Sequence, residues 1–406
     1  MKRLLILGAT IHAKHIIDAA HEMGVYTVVT DYVKGAAAKK YADKAYDVST
    51  HDVDALSELC EKEKIDGVLA GYVDINMSPY YQLCKRLSMP YFCTDEQIFK
   101  TMNKIQFKAM CRKHGIAVPD DINVDGDYEK TDFPVMVKPA DNYASRGITL
   151  CTEAKHLDAA IEKAYSFSKR HEILVEEFID APAVQMYYNV QNGYVSLSAM
   201  ADKLISGKMG DGAPQPMGFR FPSEHLKYYL ENINPKVQSM IEELGVKNGT
   251  FFIQGFAAKG TIVFLEMGLR LSGGCAYLHI KKQNEADPLK MLINFALGNG
   301  FGPWDVKKYD NPDFKKPAAD IIVLLKEGTI AKIEGLEEIK SKPSCIEIMQ
   351  LRDVGDEMDE IGTLNQVFAR FFLCCETEKE LDETIKYIKS TLKVTDTDGK
   401  NMIISF

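Results

Sequence analysis

Lys138 closes a short apolar run, Phe133-Pro-Val-Met-Val, and a loop of small and polar residues follows at once and ends at Gly147. A fixed cation at a strand end, followed by a loop whose backbone N–H groups can converge, suits the oxygens of a polyphosphate. On these residues alone, a solvated lysine before an ordinary turn remains an equal alternative. A second segment, Glu176-Glu177-Phe178-Ile179, reads as a strand ending in two carboxylates and an apolar pair. Such a segment can present backbone donors and acceptors to a purine edge, with Phe178 and Ile179 supporting the ring; two solvated glutamates are the alternative. A third runs from Thr250 to Gly274, with Gln254 and Glu266 on the two arms of a hairpin that turns at Lys259-Gly260. Side by side on antiparallel strands, these two would offer oxygens to a hard cation such as Mg²⁺, which takes only one or two protein ligands and fills its shell with phosphate and water. A buried carboxylate without a partner is costly, which favours the metal reading. Arg270, just past the second arm, is placed to reach a transferring phosphoryl group, and Gly273-Gly274 permits close backbone approach.

These groups need a scaffold. The first ninety-odd residues alternate strand and helix patterns: strands at 3–7, 25–30, 67–70 and 91–93, helices at 11–23, 53–64 and near 79–87. This βαβ order predicts a parallel sheet covered by helices. Asp31 ends the second strand, where a dinucleotide-binding protein holds its ribose, but Gly8 stands without a G-x-G-x-x-G triplet, which disfavours nicotinamide. One helix is expected over 95–114, carrying Lys104 near its start, and a small α+β unit follows with strands at 135–137, 148–151 and 173–177 around a helix at 156–170. Further strands are expected at 183–189, 194–203, 250–258 and 262–267, with helices at 224–244 and 288–297. Beyond Lys316, short strands alternate with Gly-centred turns, and a helix over 378–390 completes a mostly β module.

Composition narrows the class. The chain has 406 residues, too many for one compact core, and 46% of them are hydrophobic against 26% charged, as in soluble globular proteins. A net charge of −9 argues against a nucleic-acid surface or a polybasic membrane anchor. No apolar run approaches membrane-spanning length, and His12, Lys14, His15 and Asp18 interrupt the apolar start too early for a signal peptide. The nine cysteines lie scattered without C-x-x-C spacing, which predicts neither a zinc site nor a disulfide framework but reduced, cytoplasmic thiols.

In chain order the set reads Lys104, Lys138, the loop to Gly147, Glu176–Ile179, Gln254, Glu266, Arg270. This ordered set resembles the ATP-grasp superfamily, in particular its L-amino-acid ligase, biotin carboxylase and carbamoyl-phosphate synthetase branches, over nearly the whole chain. The resemblance implies an α/β and α+β architecture: a Rossmann-like domain over 1–95, an ATP-grasp domain over 96–310 with a lid at about 118–180, and a biotin-carboxylase-like module over 311–406. It implies that Lys104 and Lys138 bind phosphates, that Ser145, Arg146 and Gly147 belong to the loop closing over them, and that Glu176, Glu177, Phe178 and Ile179 form the adenine hinge. Gln254 and Glu266 become the metal ligands and Arg270 the catalytic arginine that stabilises phosphoryl transfer. The implied cofactors are ATP and Mg²⁺, with Mn²⁺ as an alternative ion, and the implied partners are a small-molecule carboxylate, an amine and a second copy of the chain.

The chain also departs from the family pattern. Gly268 replaces the asparagine of Glu-x-Asn-x-Arg, Gln254 stands where many members have an acid, Ala183 replaces a ribose-binding glutamate, and the loop is poorer in glycine. The Glu-x-Gly-x-Arg form followed by Gly-Gly resembles the L-amino-acid ligase branch, as do Asp202-Lys203-Leu204 and Pro222-Ser223, although Pro216 and Phe219 stand where that branch has an acid and a histidine. The implied reaction is ADP-forming ligation through an acyl phosphate. A catalytically weakened ATP-binding protein and a bicarbonate-activating enzyme are the alternatives, along with an oxidoreductase built on the first domain.

Overall fold

A computed structural model describes residues 1–124, 131–142, 146–205, 216–359 and 364–404. Strands β1 (Arg3–Leu7), β2 (Tyr26–Thr30), β3 (Lys44–Tyr46) and β4 (Gly67–Leu69) form a parallel sheet in the order β3-β2-β1-β4. Helices α1 (Ala13–Glu22), α2 (Val53–Glu63) and α3 (Met77–Arg86) accompany it. After Arg3, β1 is an unbroken apolar run because both of its faces are covered. β3 was not expected, since Lys44-Ala-Tyr is short and largely exposed, whereas 91–93, expected as a strand, is irregular. The Asp31 carboxylate accepts from the backbone N–H of Ala9 (2.9 Å) and of Val33 (3.0 Å), so it is spent tying together the loops after β1 and β2.

The single helix expected over 95–114 is two helices, α4 (Asp95–Met102) and α5 (Lys104–Lys113). Asn103 breaks them. Its backbone is extended, and its side-chain oxygen accepts from the N–H groups of Ile105 and Gln106 at 3.0 and 3.1 Å, which makes it the N-cap of α5. Strands β5 (Val135–Pro139), β6 (Thr149–Cys151) and β7 (Ile173–Glu177) then form an antiparallel sheet, β6-β5-β7, against α6 (Leu157–Phe167). Val135, Val137, Leu157, Ala160 and Val175 are its core.

The rest of the chain is organised by one large sheet. It contains β8 (Ala183–Gln191), β9 (Tyr194–Ile205), β10 (Pro216–Phe221), β11 (Gly249–Ala258) and β12 (Thr261–Gly268). The C-terminal region supplies β13 (Ala318–Leu324), β15 (Cys345–Gln350) and β17 (Val367–Cys374) to the same sheet, in the order β12-β11-β8-β9-β10-β13-β17-β15. A small sheet of β14 (Gly328–Glu334), β16 (Glu357–Met358) and β18 (Lys393–Asp396) lies beside it. The helix expected over 224–244 divides into α7 (Leu226–Asn232) and α8 (Asn234–Leu244), with Pro235 in the first turn of the second, where its missing N–H costs nothing. Helices α9 (Tyr277–Asn284) and α10 (Pro288–Ala296) follow β12. Val184, Met186, Tyr188, Phe251, Ile253 and Met267 point to one face of the large sheet and share a core with Phe107, Tyr229 and Met240. That leaves the opposite face for chemistry. The first domain docks through β4, where α10 approaches so closely that a β-carbon on Gly67 would lie 2.3 Å from the carbonyl oxygen of Ala296.

One half-buried, poorly hydrated carboxylate makes the fold sensitive to pH. Asp310 accepts from Ser198 Oγ (2.7 Å) and Asn189 Nδ2 (3.2 Å), yet burial pushes its carboxyl up to about 6. An acid whose native pKa lies above its unfolded value of 3.8 binds protons more tightly in the folded state, so its cost builds up as pH rises from about 4 to about 6, stays constant above that and vanishes below about 4. Asp310→Asn is therefore expected to raise Tm at pH 8 and to give no gain at pH 4. Equal shifts at both pH values, measured by scanning calorimetry, would contradict this account.

Candidate active site

Cross-strand register builds the floor. Glu266 on β12 lies opposite Gln254 on β11, Gln254 opposite Gln185 on β8, and Gln185 opposite Ala201 on β9. Lys203, two residues past Ala201, shares that face and lies opposite Phe219 on β10, which in turn lies opposite Asp320 on β13. Gln254 and Glu266 are half-buried, and neither side chain is engaged in a hydrogen bond or an ion pair among the described residues. Their oxygens are free for a ligand, and the donor set, one carboxylate and one amide, fits a magnesium ion that takes its remaining ligands from phosphates and water. Burial lowers the pKa of Lys104, and Glu266 is the group that most opposes the shift, ahead of Glu176 and Asp74. Lys203 behaves the same way: burial pulls it down and Glu266 pulls it back. A carboxylate with no direct partner thus sits among ammonium groups.

The small antiparallel sheet supplies the other wall. The backbone N–H of Lys104, the first residue of α5, donates to Ala140 O at 2.9 Å, and its Nζ donates to Asn142 O at 2.7 Å, so the helix start is docked on the loop leaving β5. Lys138 on β5 pairs with Glu176 on β7. The second oxygen of Glu176 takes Lys108 Nζ at 2.5 Å, and all three side chains are buried. The Glu176 carboxylate therefore points inward and holds Lys138 in place. Glu177 instead accepts from Lys259 Nζ (2.6 Å) and from the N–H of Asp120 (2.8 Å), linking this wall to the β11–β12 turn. Phe178 and Ile179 follow, half-buried, at the strand end. Of the closing loop, Ser145 lies outside the described residues. Arg146 is exposed, with its guanidinium 5.7 Å from the Phe167 ring. Gly147 has φ +79°, and a β-carbon there would lie 2.6 Å from Phe167 Cβ, so only glycine fits.

Arg270 follows β12. Its guanidinium grips both oxygens of Asp74 from the first domain, with Nε to Oδ1 at 2.6 Å, and Nη1 donates to Leu271 O at 2.9 Å. Ser272 Oγ accepts from Gln185 Nε2 (2.9 Å) and from the N–H of Gly274 (3.1 Å). Arg370 on β17, buried and paired with Asp320, donates to the carbonyls of Gly273 and Gly274. His12 contacts the same loop, and burial, reinforced by Arg370 and His15, lowers its pKa to about 3, so it is neutral. Sequence reading missed Asp74, Arg370 and His12, and it attached no role to Lys203. A signal did exist for Arg370, a lone charge inside the apolar run Val367–Cys374.

Comparison with known proteins bears on the fold. The family model described as the D-ala D-ala ligase C-terminus matches residues 101–201. The crystal structure of L-amino acid ligase from Bacillus licheniformis superimposes with a TM-score of 0.80 at 17% identity, covering 98% of this chain and 99% of that one. The chain has the ATP-grasp fold. A second ATP-grasp neighbour is the biotin carboxylase domain of the Hydrogenobacter thermophilus 2-oxoglutarate carboxylase, solved with MgADP, ADP and bicarbonate, with a TM-score of 0.78 at 16% identity over 99% of this chain and 91% of that one. Among curated sequences, the formate-dependent phosphoribosylglycinamide formyltransferase of Sulfurovum sp. is 24% identical over 191 residues, 44% of this chain. That match spans about half, 48%, of the relative's own length. In this structure Lys104 begins α5 and Lys138 lies on β5, whereas Gln254 and Glu266 lie on the β11–β12 hairpin and Arg270 just after it. No helix among the described residues is long and apolar enough to cross a membrane.

Proposed function

We propose that this chain is an ATP- and Mg²⁺-dependent, ADP-forming carboxylate–amine ligase. The observation that supports this reading is that Glu266, opposite Gln254 on the hairpin, lies near enough to Lys104 and Lys203 to act on their charges, with Lys138 close to Lys104. In this reading the adenine lies against the backbone of Glu177–Ile179 while Lys104 and Lys138 hold the phosphates. A magnesium ion on Glu266, with Gln254 beside it, supplies charge neutralisation at the phosphate oxygens. Arg270 stabilises the γ-phosphoryl group as it passes to a substrate carboxylate, and the acyl phosphate so formed is attacked by an amine, releasing phosphate. The lid and the loop ending at Gly147 exclude water, which would otherwise hydrolyse the acyl phosphate. The neighbours' chemistry supports this choice: an L-amino acid ligase and a biotin carboxylase domain holding MgADP and bicarbonate. The nine free cysteines support a cytoplasmic setting, and a homodimer remains part of the proposal.

The test is phosphate release from ATP across a matrix of carboxylic acids and amino acids, with hydroxylamine to trap the acyl phosphate. ADP formation that needs both Mg²⁺ and one acid–amine pair is expected. Tight Mg·ATP binding without turnover for any pair would instead favour a nucleotide-binding protein, the reading to which Gly268 lends weight. Stabilisation by NAD(P) alone would point to an oxidoreductase.

A further inference from the structure

Gly268 lies two residues past Glu266 on β12, on the same face of the sheet and directly opposite Phe252 of β11. A β-carbon at 268 would lie 2.6 Å from Cε1 and 2.7 Å from Cζ of the Phe252 ring, nearer than packed side chains approach. The ring therefore occupies the space that a side chain at 268 would fill. Phe252 is 5% exposed, and its centroid lies 5.0 Å from the Arg270 guanidinium. Where a polar side chain at 268 would stand beside Glu266, the chain has an aromatic edge, and the same ring supports the arginine by a cation–π contact.

Charge points the same way. At this end of the cleft Glu266 is the carboxylate without a direct partner among the described residues, because Asp74 is held by Arg270 and Glu176 by Lys108 and Lys138. Gln254 is neutral. No group of three or more His, Cys, Asp or Glu is arranged to hold a metal among the described residues. A second divalent ion would have to share this one carboxylate with the first, amid the ammonium groups of Lys104, Lys138 and Lys203, so all further neutralisation would fall to the nucleotide's phosphates.

We infer that this site takes a single divalent cation, on Glu266 and Gln254, and that Phe252 fills the place of a further ligand and braces Arg270. This rests on the proposed nucleotide-binding function. Paramagnetic resonance of free Mn²⁺, titrated into the full chain with a non-hydrolysable ATP analogue, counts the ions, and calorimetry on the same samples counts the analogue. One Mn²⁺ per bound analogue is expected. Two per bound analogue overturn the inference and leave the nucleotide-binding function standing, whereas no bound analogue removes both. The double variant Phe252→Ala/Gly268→Asn restores an oxygen and vacates the ring's space, so a second Mn²⁺ is expected. A count that stays at one in a folded variant overturns the role given to the ring in excluding it. Phe252→Leu keeps an apolar filler but loses the π-face: kcat should fall about tenfold or more while KM for ATP stays within about twofold. An unchanged kcat, or a change confined to KM, overturns the bracing role.

Discussion

Arg270→Ala is expected to lower kcat by about 10²–10⁴-fold while the affinity for a non-hydrolysable ATP analogue changes by less than about threefold. An arginine that acts on charge developing only during transfer contributes to the transition state and little to ground-state binding. Arg270 has a second function visible in the structure, because its grip on Asp74 joins the first domain to the loop after β12. Hydrogen bonds to charged groups contribute about 1.5–3 kcal/mol each, so the variant should also be less stable. Asp74→Asn separates the two roles. It weakens the clamp and leaves the guanidinium in place, so it should reproduce much of the stability loss with less than about a tenfold fall in single-turnover rate. If both variants slow turnover equally, Arg270 acts as a clamp and its assignment to phosphoryl transfer is wrong.

Glu176→Ala should be the most damaging substitution for stability. It strips the shared partner from Lys108 and Lys138, which are 2% and 6% exposed and depend on its two oxygens. Removing one member of a buried charge cluster typically costs about 3–5 kcal/mol, because the remaining ions have lost water without gaining a partner. Lys108 retains Asp121, which limits its loss, whereas Lys138 loses the carboxylate it pairs with. Urea unfolding should show a lower midpoint at unchanged m. A deficit under about 1 kcal/mol would show that water reaches the cluster and that Lys138 is positioned by something else. Activity should fall as well, through a raised KM for ATP, since Lys138 would no longer be held on the cleft wall.

These two residues also show what was legible in the chain. Arg270 was readable as chemistry from its place after a Glu-bearing strand and before Gly273-Gly274. Glu176 was read from the same kind of local context as part of an adenine-facing segment, and nothing in that context showed that its carboxylate holds two lysines. A strand's period of two says which residues share a face, and nothing in that period says which face meets the ligand. The break at Asn103 illustrates a neighbouring limit. The capping preference of Asn is local and visible, yet the surrounding helical pattern outweighs it until the docking of Lys104 on Ala140 shows why the chain turns there.

By itself the sequence determined the alternation of elements in the first domain, the hairpin carrying Gln254 and Glu266, and the ordered set of cations and carboxylates, because these follow from periodicities and turn residues acting over a few positions. The tertiary structure alone decided that β13, β15 and β17 continue the sheet of β8–β12, that Lys203 lies near enough for Glu266 to act on its charge, that Arg370 pins the Gly273-Gly274 loop, and that Phe252 fills the space above Gly268. Those facts depend on which distant strands pair and in what register. That choice is made by burying whole faces at once, a balance of long-range packing against chain entropy that no short window of residues contains.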